Sequence, residues 1–338
     1  MWRRMIHAAG DYFSHLTDAG TRGWNQFWFA PSSPLTVSVV RPLVGLVALY
    51  YLASFSFELD RWFGPQAWLT VDSVRQLTGG DPLSGQVEQA SFRPSIYSVA
   101  SLAGSGAVMA VHLVGLVLAA SFTAGLLTRL TSIGTLLFVL SAIHRNPLVT
   151  GPFEPVLVVL LLGLTIANSG AFCSLDRLRS GLPCCQGNEA DWTTTLGVRL
   201  MQIQIAALFF MMAISKLAVS LDDFHTWWTG EGVWLLIAKS ESRLIDLTPL
   251  RDAVFLVNFW THSIVAFELV FAFGIWNPLL RPILLAISVV MWGSLALVSG
   301  LVPFCLTMFL AGLIFIDPAT LAHLLASDDV VEPIALKG

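Results

Sequence analysis

The chain has 338 residues, of which 55% are hydrophobic and only 12% charged, with a formal net charge of −4. So few charges cannot cover the surface of a water-soluble protein of this length, and the near-neutral balance gives no basic face for nucleic acid. Repeated apolar runs of about twenty residues point instead to an all-α integral membrane protein, a polytopic bundle of about eight transmembrane helices with a short amphipathic N-terminal helix.

Residues 1–35 read as an interfacial segment. Met5, Ala9, Tyr12, Phe13 and Leu16 recur at helical spacing against a polar face, the pattern of a helix lying on a membrane surface. Arg3, Arg4, Asp11, His15 and Asp18 break up any signal-peptide core, so no cleaved leader is expected. Trp24, Phe27, Trp28 and Phe29 suit the headgroup belt, and Pro31 and Pro34 then turn the chain into the bilayer. A transmembrane domain follows over 36–317, with spans predicted near 36–57, 107–127, 130–147, 155–172, 196–217, 253–275, 279–299 and 301–316. Arg129, the Trp276-Asn277-Pro278 turn and Gly300 each divide runs too long for one crossing. Residues 318–338 form a short cytoplasmic tail with Asp328, Asp329 and Glu332.

Two connections are long, 58–106 and 218–252, and eight spans put both on the same side. Arg3, Arg4, Arg22, Arg129, Arg177, Arg179 and Arg281 fall on the other. The positive-inside bias therefore places both termini in the cytoplasm and the long loops outside. A bacterial inner (plasma) membrane is the expected location, since no organelle-targeting segment is visible. The four cysteines, Cys173, Cys184, Cys185 and Cys305, show no metal-ligand spacing, and the adjacent pair reads as loop thiols, so no metal is expected.

A charge within a span costs about 2.5 to 3.5 kcal/mol on insertion scales, so each such group is a functional candidate. Lys216 closes the run LFFMMAISKL and is followed by Asp222, Asp223, Trp227 and Trp228. A partly desolvated lysine can act as a general base; the alternative is an anchor snorkelling to the interface. Glu268 lies mid-span and must be protonated, paired or directed at a cavity. His262 is six residues earlier, on a face some 120° away, and so is not its obvious partner, whereas His262 and Asn258 share a face at i, i+4 spacing. Interhelical hydrogen bonding is the competing reading for Glu268 and His262. Arg41 and Arg145 read as arginines meeting the interface, and Gln202 and Gln204 as interhelical glue. Phosphate loops, dinucleotide fingerprints, HExxH and haem-attachment motifs are all missing from the sequence, which lowers hydrolytic metal chemistry and active transport in rank.

Several short motifs then recur in a fixed order. They are Phe29-Ala30-Pro31, Arg41 with Gly45, Phe63-Gly64-Pro65, Arg145-Asn146-Pro147, Ser174-Leu175-Asp176, and the stretch from Arg199 through Ile214-Ser215-Lys216-Leu217 to Trp228 and Gly230. This pattern resembles the horizontally transferred transmembrane (HTTM) domain family, whose best-known member is the vitamin K-dependent gamma-carboxylase. The resemblance implies an eight-span domain. It also implies a reduced, vitamin K-like quinone as cofactor, with Lys216 in the place of the lysine that deprotonates the quinol. The carboxylase follows its membrane domain with a large β-rich lumenal region that has no counterpart here, so full protein carboxylation is not expected.

The functional expectation is thus an HTTM-type protein binding a quinol or lipid-like ligand. Lys216 is its candidate base, and Glu268, His262, Asn258 and Trp228 are the candidate ligand-binding groups. Whether the chain is catalytic stays open. The alternative is a non-enzymatic membrane module that assists maturation or assembly of a partner protein, with Lys216 as a headgroup anchor.

Overall fold

The computed structural model describes residues 2–78, 94–181, 190–218, 227–238 and 244–325. Helix α1 (Trp2–Phe29) precedes α2 (Leu35–Ser54), and the first long connection carries α3 (Leu59–Phe63), α4 (Val71–Thr78) and α5 (Ile96–Leu102). Then follow α6 (Ser105–Ala124), α7 (Thr128–Arg145), α8 (Phe153–Ile166), α9 (Leu175–Arg179), α10 (Trp192–Leu217) and α11 (Gly232–Ala238). The chain continues through α12 (Val254–Gly274), α13 (Arg281–Ser299), α14 (Val302–Leu313) and α15 (Pro318–Leu325). No strand is present among the described residues beyond an isolated bridge between Ser32 and Asp191.

Each predicted span contains a helix, and five helices are long and apolar enough to cross a membrane: α2 continued to Phe63, α6, α10, α12 and α13. The helix bounds depart most from the predicted spans at three of the eight. The first run does not end at residue 57, because a 3-10 turn over Ser56–Glu58 carries it into α3. The fourth stops at Ile166, where Ala167 turns extended at ψ 152° and Ser169 bonds back to Leu164 and Ala167. The eighth stops at Leu313 and bends by 105° into α15. At 1.5 Å per residue, α8 and α14 reach only about 21 and 18 Å, short of the roughly 30 Å hydrocarbon core.

Helix ends follow local chemistry. Gly125 and Gly300 close α6 and α13 in the left-handed conformation at φ 75° and 67°. Proline opens α13 and α14 in the first turn, where its missing N–H costs nothing. The Asp176 carboxylate accepts from the Leu127 and Thr128 amides and the Thr128 hydroxyl at 2.8 to 3.0 Å, capping α7 from another segment.

Neighbouring helices pack as α2, α6, α7 and α8 on one side and α10, α12, α13 and α14 on the other, joined through α8 against α10 and α14. Small residues permit the α8–α10 approach: a Cβ on Gly197 would stand 2.6 Å from the Gly163 carbonyl. Between α10, α12 and α13, Phe209 stacks on Phe271 at 4.0 Å and meets Trp292 edge-on at 5.9 Å.

Two arginines expected at the interface are instead among the most buried side chains. Arg41, 1% exposed, donates to the Cys173 carbonyl at 2.6 Å, and Arg145, also 1% exposed, donates to the Leu69 carbonyl at 2.6 Å. Each is drawn inward because a connecting segment offers it a backbone oxygen that lipid cannot. Gln202 does join helices, donating to the Ile314 carbonyl at 3.1 Å, while Gln204 is exposed. Cys184, Cys185, Asp222, Asp223 and the acidic tail residues Asp328, Asp329 and Glu332 lie outside the described residues.

Candidate functional site

The antiparallel neighbours α10 and α12 bring Lys216 and Glu268 together. Lys216 closes the last turn of α10, where its side chain could snorkel outward, yet it runs back along the bundle and its Nζ donates to Glu268 Oε1. Side-chain exposure is 15% for Lys216 and 1% for Glu268. The indole of Trp227 lies over the ammonium with its centroid 4.9 Å from Nζ, a contact that holds a cation where water is scarce. Glu268 Oε2 is buried and has no hydrogen-bond partner among the described residues. The site is therefore an ion pair that is saturated on one carboxylate oxygen and open on the other, with the lysine as its more accessible member.

Trp227 is held there by glycine-dependent packing. A Cβ on Gly232 would come within 2.6 Å of the Trp227 ring, and one on Gly230, at φ 89°, within 2.6 Å of Asn258 Cγ. Thr261, fully buried, fastens the same turn: its hydroxyl donates to the Gly230 carbonyl at 2.8 Å and accepts from the Val233 amide at 3.1 Å. The turn at 227–232 is thereby clamped to α12, and its tryptophan caps the pair.

Asn258 and His262 stand further along α12. His262 is exposed; Nδ1 lies 2.8 Å from the Asn258 carbonyl and Nε2 3.2 Å from the Trp228 carbonyl. Trp228 itself points outward at 64% exposure. Six residues of helix separate His262 from Glu268 by about 9 Å of rise. Of the expected site residues, then, Lys216 and Glu268 meet, whereas Asn258, His262 and Trp228 gather about two to three helical turns from Glu268, around the turn at 227–232.

Sequence reasoning passed over Trp227 and Thr261 as site residues, and it also missed a second polar cluster. His112, 1% exposed inside α6, bridges Ser56 Oγ at 2.9 Å and Tyr97 Oη at 3.0 Å, and Tyr97 stacks on Phe63 at 4.2 Å. Glu154 on α8 is 3% exposed, with Oε2 unpartnered among the described residues. The available signal was an ionisable residue in an apolar run, and both residues carry it.

No family model matches the chain, and neither a curated protein nor a solved structure matches it.

Proposed function

We propose that the chain is an eight-span membrane protein of the HTTM type that binds a quinol or similar lipid-like ligand beside the Lys216–Glu268 pair. The carrying observation is that contact: a lysine at the end of a span turned inward onto a buried carboxylate beneath the Trp227 ring. It is the lysine that the HTTM resemblance marks as a base. In this reading α7, α8 and α14 complete the crossings, both termini are cytoplasmic, and the membrane is a bacterial plasma membrane.

The chemistry asked of the pair is proton acceptance. In a water-poor site, Lys216 and Glu268 hold one proton between them, as ammonium and carboxylate or as amine and carboxylic acid. In the second form Lys216 Nζ takes the proton of a ligand hydroxyl. The pair then becomes ammonium and carboxylic acid, and the ligand becomes an anion beside the new positive charge. Lys216 is the point of entry because it is the more accessible member, and Glu268 Oε2 has room for a proton without losing a bond.

Oxygen uptake tests this, using the full chain in lipid nanodiscs supplied with reduced menaquinone or vitamin K hydroquinone. Wild type is expected to consume oxygen. Lys216→Arg, whose guanidinium stays protonated, and Glu268→Gln are expected to stop uptake while remaining folded. No uptake above empty nanodiscs would overturn the reading. The pair is also satisfied within the fold without a ligand, which favours as second reading the non-enzymatic module assisting a partner protein, with the pair fastening α10 to α12.

A further inference from the structure

At the opposite end of α10 from Lys216, seventeen residues and about 25 Å away along the helix, a cavity of about 220 Å³ opens where α2 and α13 begin and α14 ends. Arg199 and Arg281 both line it. Arg199 is held by Gln202 Oε1 at 2.9 Å and lies 4.6 Å from the Phe27 ring centroid. Arg281 spends its Nε on the Ile275 carbonyl at 3.3 Å. Neither guanidinium forms an ion pair with a protein carboxylate among the described residues. Asp317, which also lines the cavity, is exposed and accepts from the Ala319 amide at 3.0 Å. Two half-buried cations on one cavity, each held by neutral groups, raise the energy of the fold unless an anion joins them there.

We propose that this cavity binds a phosphate group, and that its source is the headgroup of an anionic phospholipid. Arg199 and Arg281 would supply the paired, planar donors that match phosphate oxygens. The Thr195 and Ser32 hydroxyls, already bonded to each other at 2.8 Å, line the same space. The first turns of α2 and α13 add the positive ends of two helix dipoles. The headgroup is preferred to a free phosphate because of where the cavity lies. It sits at the ends of apolar helices, beside α1, whose Phe27 touches Arg199 and also meets Trp276 at 6.4 Å. That places the guanidiniums at headgroup depth, with an aromatic belt around them.

The experiment is native mass spectrometry of the full chain in mild non-ionic detergent, with phosphatidylglycerol or phosphatidylcholine added, alongside thermal unfolding with inorganic phosphate. Wild type is expected to retain phosphatidylglycerol preferentially. Arg199→Gln and Arg281→Gln should each reduce that retention about tenfold, the scale of one charge-assisted hydrogen bond. Arg129→Gln removes an exposed charge outside the cavity and should leave retention unchanged, and Arg199→Lys keeps the charge should the glutamine variant fail to fold. Protection by inorganic phosphate with no lipid retention would keep the phosphate chemistry and overturn the headgroup as source. Equal retention in wild type and both glutamine variants, or an equal loss in Arg129→Gln, would overturn the site.

Discussion

Replacing Lys216 by methionine keeps an unbranched side chain one atom shorter and deletes the ammonium, leaving the Glu268 carboxylate 1% exposed and without its partner. Breaking a buried pair from one side costs about 3–5 kcal/mol. Lys216 is 15% exposed, so the pair is not fully desolvated and a loss of about 3 kcal/mol is expected. Glu268→Gln should cost about 1–2 kcal/mol less, because the stranded ammonium can still swing on its four-carbon stem toward water. The double variant carries two neutral groups and should be more stable than the two single losses summed, by about 2 kcal/mol of coupling. Denaturant midpoints of the four proteins in one detergent would measure this. Additivity within about 0.5 kcal/mol would refute the contact, and a silent Lys216→Met would return Lys216 to the role of a snorkelling anchor.

Two further outcomes follow from the loop pins. Gly125 sits at φ 75° with Arg41 Nη1 only 2.0 Å from where a Cβ would stand, so Gly125→Ala should cost the left-handed penalty of about 1 kcal/mol and displace the buried guanidinium besides. Gly181, at φ 72° with nothing within 4 Å, should show the first cost alone, and equal midpoints for the two alanine variants would contradict the packing. Burial acts to raise the Asp176 carboxyl, but the amides of Thr128 and Leu127, the Thr128 hydroxyl and the Arg41 charge outweigh it and hold it below the ordinary value of 3.8. A depressed carboxyl stabilises the fold above its unfolded value. That stability is lost as pH falls from about 3.8 through the lower folded value. Asp176→Asn should therefore lose about 0.5–2 kcal/mol at neutral pH and flatten this acid limb of the unfolding midpoint.

The helical architecture was legible because an apolar run in which every backbone group must be satisfied has few alternatives to helix. Where each helix stops was less so. The Ser169 hydroxyl, bonded back to the Leu164 carbonyl, and the Ser174 hydroxyl, bonded to the Gly170 carbonyl, hold the chain after α8 in a turn that a hydropathy average dissolves into the run. Arg41 and Arg145 were misplaced for a related reason. A snorkelling arginine and a buried one look alike in sequence when the carbonyl that receives the second, Cys173 for Arg41 and Leu69 for Arg145, lies 132 or 76 residues away.

The site was half legible. Lys216 and Glu268 stood out singly because each is expensive in a membrane, but 52 residues separate them, and nothing local to either one names the other. Trp228 was favoured over Trp227 with no physical basis for separating adjacent indoles; the clamp of Gly230, Gly232 and Thr261 decides which ring turns inward. The buried cations of this fold differ in what receives them. Arg41 and Arg145 donate to backbone carbonyls, which cannot take up a proton, and these bonds hold segments together. Lys216 ends on a group that can titrate, whose second oxygen is buried and, among the described residues, unpartnered. A pin would be better made with a carbonyl, since a half-satisfied buried carboxylate is costly. That cost is the physical reason to look for proton chemistry at Lys216 and Glu268 before looking for it at either arginine.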